Sequence, residues 1–211
     1  MRVVSVNVGL PQSVEWMGRQ VATGIFKAPV AGPVRAAGHN LEGDGQADLS
    51  VHGGADKAVY VYSAAHYAWW QAELGRALPW GMFGENLTIE GLPEEHEINV
   101  GDRLRVGSAE FVVTQPRLPC FKLGIRFADT DMVRRFLVAG RSGCYLRIVQ
   151  DGSVATGDAV ERLTIDPAGV SIAELARLLV RDRRDAAGMR RALAVASLPM
   201  TLRRHFEQQL E

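Results

Sequence analysis

The sequence predicts a mainly β fold, a barrel or sandwich with a few peripheral helices over residues 1–165, followed by a small three-helix unit over residues 166–211. Two observations carry this expectation. Up to about residue 165, short apolar or alternating runs recur between Gly, Asp-Gly and Pro. After "DPAG" (166–169) the apolar residues change to helical spacing and keep it.

Taken in order, "RVVSVNV", "KAVYVYS", "NLTIEG" and "DRLRVGSAEFVVTQ" read as strands, rich in β-branched and aromatic residues and bounded by turn formers. "CYLRIVQDGSVATGDAVERLTI" reads as further strands, with Asp151-Gly152 as a two-residue hairpin turn. Two helices interrupt the series. "SAAHYAWWQAEL" starts from a Ser63 cap, and "DTDMVRRFLVAG" starts at an Asp or Thr cap and stops at Gly140. Pro116 and Pro119 make "PRLPC" a stiff loop. In the tail, "SIAELARLLVRD" opens with Ser171 and Glu174 in capping-box spacing. "DAAGMRRALAVAS" follows from an Asp185 cap, and "PMTLRRHFEQQL" has Pro199 at its first turn. None of these three short helices can bury its apolar stripe alone, so they must pack on one another or on the sheet.

The totals exclude several function classes. Lys plus Arg equals Asp plus Glu at 24 each, so no global field points to nucleic acid or an anionic membrane surface. No apolar run spans a bilayer, and "MRVVSVNVGL" alternates like a strand and lacks the layout of a secretory leader. Two cysteines cannot build a disulfide framework, so a reducing cytoplasm is expected, with any reactive thiol free. Only Lys27, Lys57 and Lys122 are lysines; the other 21 basic residues are arginines. A codon bias toward Arg explains the ratio and draws attention to the three that remain, since a compact ammonium suits a crowded anion site.

Three stretches carry chemistry. In "GDGQADLSVHGGADKAVYVYS" (43–63), the Gly53-Gly54 pair alone is a tight turn, whereas with His52 and Lys57 beside it the pair reads as a ligand loop able to cradle an anion. It leads into a strand, which is not the context of a Walker or Rossmann loop. In "FGENLTIEG" (83–91), Glu85 and Asn86 either read a heterocycle's donors and acceptors or cap a turn. In "VTQPRLPCFKL" (113–123), Arg117, Lys122 and Arg126 are near enough in sequence to favour a Cys120 thiolate if they converge in space. A lone cysteine is ordinarily a small buried hydrophobe, and Cys144 in "SGCYLRIV" reads as that. The prolines and cations set Cys120 apart. A Cys–His–Asp hydrolase from Cys120, His52 and Asp48 or Asp56 is a conceivable alternative. No CxxC or paired-His spacing supports zinc. His66 reads as structural or as a pocket rim, and "RDRRD" and "LRRHF" as solvated helix faces.

Together, "GDGQADLSVHGGADKAVY", "FGENLTIEGL", Gly101-Asp102 and "QPRLPCFKL" resemble the MOSC domain in its YiiM-like branch, and the tail resembles the 3-alpha unit that follows it there. The resemblance implies a MOSC-type β-barrel over 1–165, a 3-alpha helical domain over 166–211, and a molybdenum cofactor (Mo-molybdopterin). It makes Cys120 the metal ligand and catalytic residue. Lys27, in "GIFKAPV", matches a lysine usual in the branch; an aromatic usually stands at the position of Cys144. Cofactor-binding residues implied are Lys27, His52, Gly53, Gly54, Lys57, Glu85, Asn86, Arg117, Lys122 and Arg126. A soft thiolate suits molybdenum already held by two pterin sulfurs, and the pterin phosphate gives the glycines and cations an anion to bind. The implied activity is two-electron reduction of N-hydroxylated small molecules such as 6-N-hydroxylaminopurine, the N–OH oxygen leaving as water. Electrons are expected from a separate flavin or iron–sulfur protein, since the chain lacks cysteines for a cluster. A homodimer is allowed, and neither nucleic acid nor membrane is an expected partner. The runner-up is a carrier of the cofactor, or of sulfur as a Cys120 persulfide; a third class is a non-catalytic module whose tail docks a partner.

Overall fold

The computed structural model describes residues 1–47 and 53–211. The first strands are β1 (Arg2–Val8), the hairpin β2 (Gln12–Trp16) and β3 (Arg19–Thr23), then β4 (Ala28–Pro29), β5 (Val34–Ala37) and β6 (Asn40–Leu41). After a 3₁₀ turn at Ala55–Lys57 come β7 (Val59–Ser63), α1 (Ala64–Leu74), β8 (Leu87–Glu90), β9 (Arg103–Val106) and β10 (Ala109–Pro116). There follow α2 (Phe121–Phe127), α3 (Met132–Ala139), β11 (Cys144–Gln150), β12 (Gly152–Val154) and β13 (Val160–Thr164). The tail holds α4 (Ile172–Val180), α5 (Ala186–Ala194) and α6 (Met200–Leu210).

Eight strands form one mixed sheet in the order β13-β9-β10-β11-β7-β8-β1-β4. Its pairs are antiparallel except β7 with β8, which α1 joins as a crossover. Among the described residues no strand ladder closes this sheet into the expected barrel. Its flanks meet only through an isolated bridge, Arg2 with Ala159, and backbone bonds such as Val3 N–H to the Asp158 carbonyl at 2.9 Å. The Asp151-Gly152 hairpin also differs from expectation. β12 turns away from β11 and pairs with β5, and the Ser108 hydroxyl accepts from Ser153 N–H at 2.9 Å to hold it there. Several elements were not read from sequence: the β2–β3 hairpin, whose Met17-Gly18 turn lies at positive φ, the short strands β4, β5 and β6, and α2 directly after Cys120.

The helix starts follow local chemistry. Ser63 accepts from Ala65 N–H, Ser171 from Glu174 N–H, and Asp185 from Gly188 N–H, each satisfying a donor that the first helical turn leaves free. Gly140 ends α3 in the left-handed region.

β7 is buried on both faces, and its alternation sorts the core. Val59 and Val61 point into one aliphatic cluster with Leu104, Phe111 and Leu146; Tyr60 and Tyr62 point into an aromatic one with Trp70, Phe83 and Phe136. The aliphatic cluster continues through Ile172, Leu175, Met189 and Phe206, so the tail helices share the sheet's core. Among the described residues, no helix is long and apolar enough to cross a membrane.

Phe206 has no exposed surface. Phe206→Ala is expected to cost about 3–5 kcal/mol and to lower the unfolding of sheet and tail together in one urea transition. A wild-type midpoint, or two separate transitions, contradicts the shared core.

Candidate functional site

β10 shifts register against β11 between Val113 and Gln115, then ends at Pro116. The chain leaves the sheet as Arg117, Leu118 and Pro119 and re-enters regular structure at Cys120, the N-cap of α2. Cys120 is in extended conformation (φ −125°, ψ 176°), its carbonyl accepts from Leu123 N–H at 2.9 Å, and its side chain makes no capping bond. The thiol is partly exposed and lines a cleft.

That cleft collects cations from distant segments. Lys27 arrives before β4, Lys57 from the 3₁₀ turn, and Arg117 and Lys122 from either side of Cys120. Tyr60, Gln46 and Tyr145 fill the wall between them. Arg117 is buried, with its guanidinium carbon 5.4 Å from the Tyr60 ring centre and 5.2 Å from that of Phe136. Its Nη1 is buried with no hydrogen-bond partner among the described residues. Burial opposes its charge, but the phenols of Tyr60 and Tyr145 and the Cys120 thiol hold its pKa above the ordinary value. Burial likewise pushes the Tyr145 phenol up, with Arg117 pulling the other way.

Asp44, in "GDGQ", is the residue that sequence reasoning passed over. Its carboxylate is buried and ion-paired with Lys27, and it accepts from Gly9 N–H at 3.0 Å and from Asn86 Nδ2 at 2.8 Å. Burial lowers the Lys27 pKa, and the nearby Asp44 and Glu85 carboxylates only partly restore it. Burial lowers that of Lys57 too, opposed by Asp56. An acid between two glycines was the available signal, but its partner Lys27 is seventeen residues away.

Asn86 lines the cleft, yet its amide is engaged in the fold: Oδ1 accepts from Tyr60 N–H at 3.0 Å, and Nδ2 also donates to the Asn7 carbonyl at 3.3 Å. Glu85 does not line it. Its carboxylate accepts from the Tyr67 hydroxyl (2.5 Å), Gly81 N–H (2.9 Å), Phe83 N–H (3.1 Å) and the Thr88 hydroxyl (2.8 Å). Burial raises its pKa, and these donors oppose the rise. The turn it organises needs Gly81 and Gly84 at φ near 80°, because a Cβ at Gly84 would sit 2.8 Å from Ile25 and one at Gly81 2.7 Å from the Lys27 carbonyl.

Gly53 and Gly54 stand outside the lining; Gly54 N–H donates to Gln46 Oε1 at 2.8 Å, and Gln46 Nε2 donates to the Lys57 carbonyl at 3.2 Å. Arg126 is also outside, over the Phe26 ring at 5.1 Å. His52 and Asp48 lie outside the described residues. Asp56 pairs with Arg147 and does not line the cleft. His66 is buried elsewhere, 2.9 Å from Glu95 and 3.1 Å from Arg141. Cys144 is in the aliphatic core, where burial pushes its thiol well up. Among the described residues, no three His, Cys, Asp or Glu cluster as a metal cage.

The MOSC domain pattern matches residues 48–161, and that of the YiiM-like 3-alpha helix domain matches residues 170–211. This chain belongs to the YiiM-like branch of the MOSC-domain family. The protein YflK of Bacillus subtilis (strain 168) is 41% identical across 97% of this chain and 92% of its own length. The crystal structure of YiiM from Geobacillus stearothermophilus matches 100% of this chain and 99% of its own at a TM-score of 0.84 and 32% identity. A Gibberella moniliformis (strain M3125 / FGSC 7600) protein named Reductase is 32% identical over 70% of this chain, which corresponds to 27% of that protein. Lys27 and Asp44 precede the residues matched to the MOSC domain, so the fold of this chain brings them to Cys120 from outside the matched segment.

Because the folded state lowers the Lys27 pKa, the unfolded chain binds more protons between that lowered value and 10.5, and stability rises with pH across the window. Asp44→Asn leaves the ammonium unpaired. It is expected to cost about 3–5 kcal/mol at neutral pH, with the cost shrinking as pH approaches 10.5 and Lys27 discharges. Urea unfolding of both proteins at the two pH values checks this; a cost that is flat or grows with pH contradicts the pairing.

Proposed function

We propose that this chain is a molybdenum-cofactor-binding reductase of N-hydroxylated compounds such as 6-N-hydroxylaminopurine, with Cys120 as the metal ligand. The observation that carries the reading is the cleft itself, where one partly exposed thiol stands among Lys27, Lys57, Arg117 and Lys122. The donor set fits the group. A soft thiolate suits molybdenum, and a metal that brings two pterin sulfurs needs no protein cage. The buried, unpartnered Nη1 of Arg117 wants an acceptor, which the pterin phosphate supplies together with Lys57 and Lys122. The relative named Reductase supports a redox role.

When bound, the group delivers two electrons to the N–OH compound, which with two protons becomes an amine and water. The chain's own residues do the rest. Cys120 would hold the metal, and Arg117, Lys57 and Lys122 would hold the phosphate. Lys27, neutralised in part by Asp44, adds positive charge without leaving a second buried cation uncompensated. Asn86 and Glu85 take a supporting part: Asn86 fixes Asp44, and Glu85 fixes the turn beneath Lys27. Gly53 and Gly54 act through Gln46, which ties their loop to Lys57, while His52 and Arg126 complete the proposed cofactor set.

The same reading assigns residues 1–165 to the MOSC domain and 166–211 to the 3-alpha domain. It calls for a separate flavin or iron–sulfur electron donor and excludes nucleic acid and membrane as partners. It allows a homodimer and assigns the chain to the cytoplasm.

The test is metal and pterin analysis of gently purified protein, with a hydroxylaminopurine reduction assay under an artificial electron donor. Molybdenum and reductase activity are expected together in wild-type and Cys144→Ser protein, with both lost in Cys120→Ser. Full molybdenum and activity in Cys120→Ser sink the assignment. Cofactor bound without turnover on any N-hydroxylated compound favours the carrier.

A further inference from the structure

The turn that delivers Lys57 to the cleft carries a carboxylate beside the ammonium. Asp56 and Lys57 are consecutive in the 3₁₀ turn Ala55–Lys57; Lys57 lines the cleft and Asp56 does not. Asp56 is near enough to favour the charged form of Lys57 against burial. An acid so placed competes with a bound anion for the same ammonium.

Arg147 of β11 holds that acid elsewhere. It lies two residues beyond Tyr145 of the cleft wall, and so on the same face of the strand. Arg147 Nε donates to Asp56 Oδ1 at 2.6 Å, and Nη2 pairs with the same oxygen. Nη2 also donates to the Ser197 carbonyl at 3.4 Å. Ser197 stands in the loop between α5 and α6, so the C-terminal unit gives the guanidinium a second anchor.

Two observations speak against a merely structural clamp. The side chains of Arg147 and Asp56 keep 32% and 30% exposure, and an ion pair that open to water contributes little to stability. The backbone of the turn is also tied without Arg147. The Thr114 hydroxyl donates to the Asp56 carbonyl at 2.7 Å, Lys57 N–H donates to the Gly54 carbonyl at 3.1 Å, and Gln46 Nε2 donates to the Lys57 carbonyl. What Arg147 governs is the carboxylate.

We infer that Arg147 is a positioning residue of the cleft: it occupies the Asp56 carboxylate and so keeps it from drawing the Lys57 ammonium off a bound phosphate group. The C-terminal unit, through Ser197, thereby reaches the anion seat. This rests on reading the cleft as the seat of a phosphate; it does not depend on the metal or on turnover.

Inorganic phosphate is the probe, titrated into metal-free protein and followed through the backbone amide signals of Lys57, Cys120 and Lys122. Saturable binding is expected in wild type, and Arg147→Gln should weaken it about tenfold, the size of one charge-assisted hydrogen bond. Lys57→Ala should weaken it similarly, and in that background Arg147→Gln should cost nothing more, because it acts through the ammonium. Asp56→Asn removes the competitor; it should bind phosphate at least as well as wild type and abolish the effect of Arg147→Gln. Circular dichroism checks that each variant is folded, and if Arg147→Gln is not, the Asp56→Asn titration decides alone. Undiminished binding in Arg147→Gln, a loss that persists in the Lys57→Ala or Asp56→Asn background, or weaker binding in Asp56→Asn itself overturns the inference and leaves the anion seat standing. Wild-type protein that binds no phosphate overturns the seat and the inference together.

Discussion

The site hangs on one buried carboxamide. Asn86 accepts from β7 through Tyr60 N–H, donates to β1 through the Asn7 carbonyl, and donates to Asp44, so a single side chain joins two strands to a loop. Buried polar groups left unpaired are costly, and three bonds satisfied at once leave the amide one orientation. Asp44, so fixed, holds Lys27. Glu85, the preceding residue, uses its carboxylate on the opposite task of pinning the turn that backs onto Lys27. Loss of either side chain would release the wall of the cleft from the sheet.

Arg117 is the second organising group. It is buried between Tyr60 and Phe136, yet it faces two cavities, one lined with cations and Cys120 and the other with apolar side chains of α3 and α4. A guanidinium tolerates this position because its planar faces stack on rings while its edge keeps several donors. The Leu118-Pro119 loop before Cys120 stands between the two cavities.

Much of this was legible in the sequence where the signal was local. The caps at Ser63, Ser171 and Asp185, the strands "VYVYS" and "LTIE", and the split between Cys120 and Cys144 all follow from spacing and immediate neighbours. What failed was non-local. The Asp151-Gly152 turn has hairpin chemistry, but strand pairing is decided by what the next strand can reach, and β5 captured β12. The barrel expectation rested on the run of short strands and on the family resemblance, whereas closure requires a ladder across the sheet's flanks, and among the described residues only one bridge forms there. At the site, the cations were visible because lysine is scarce, but Asp44 was not, because its role exists only once Lys27 is beside it. Glu85 and Asn86 looked alike in sequence, and the turn at Gly84 sent one into the core and the other to the cleft edge. The second cleft has no sequence signal at all, since its walls come from three separate elements.

Whether Cys120 is a ligand is the claim on which the functional account stands. X-ray absorption at the molybdenum edge of loaded wild-type protein counts the sulfur neighbours of the metal directly. The account predicts three, two from the pterin and one from Cys120. A count of two, with the metal present in full, contradicts it.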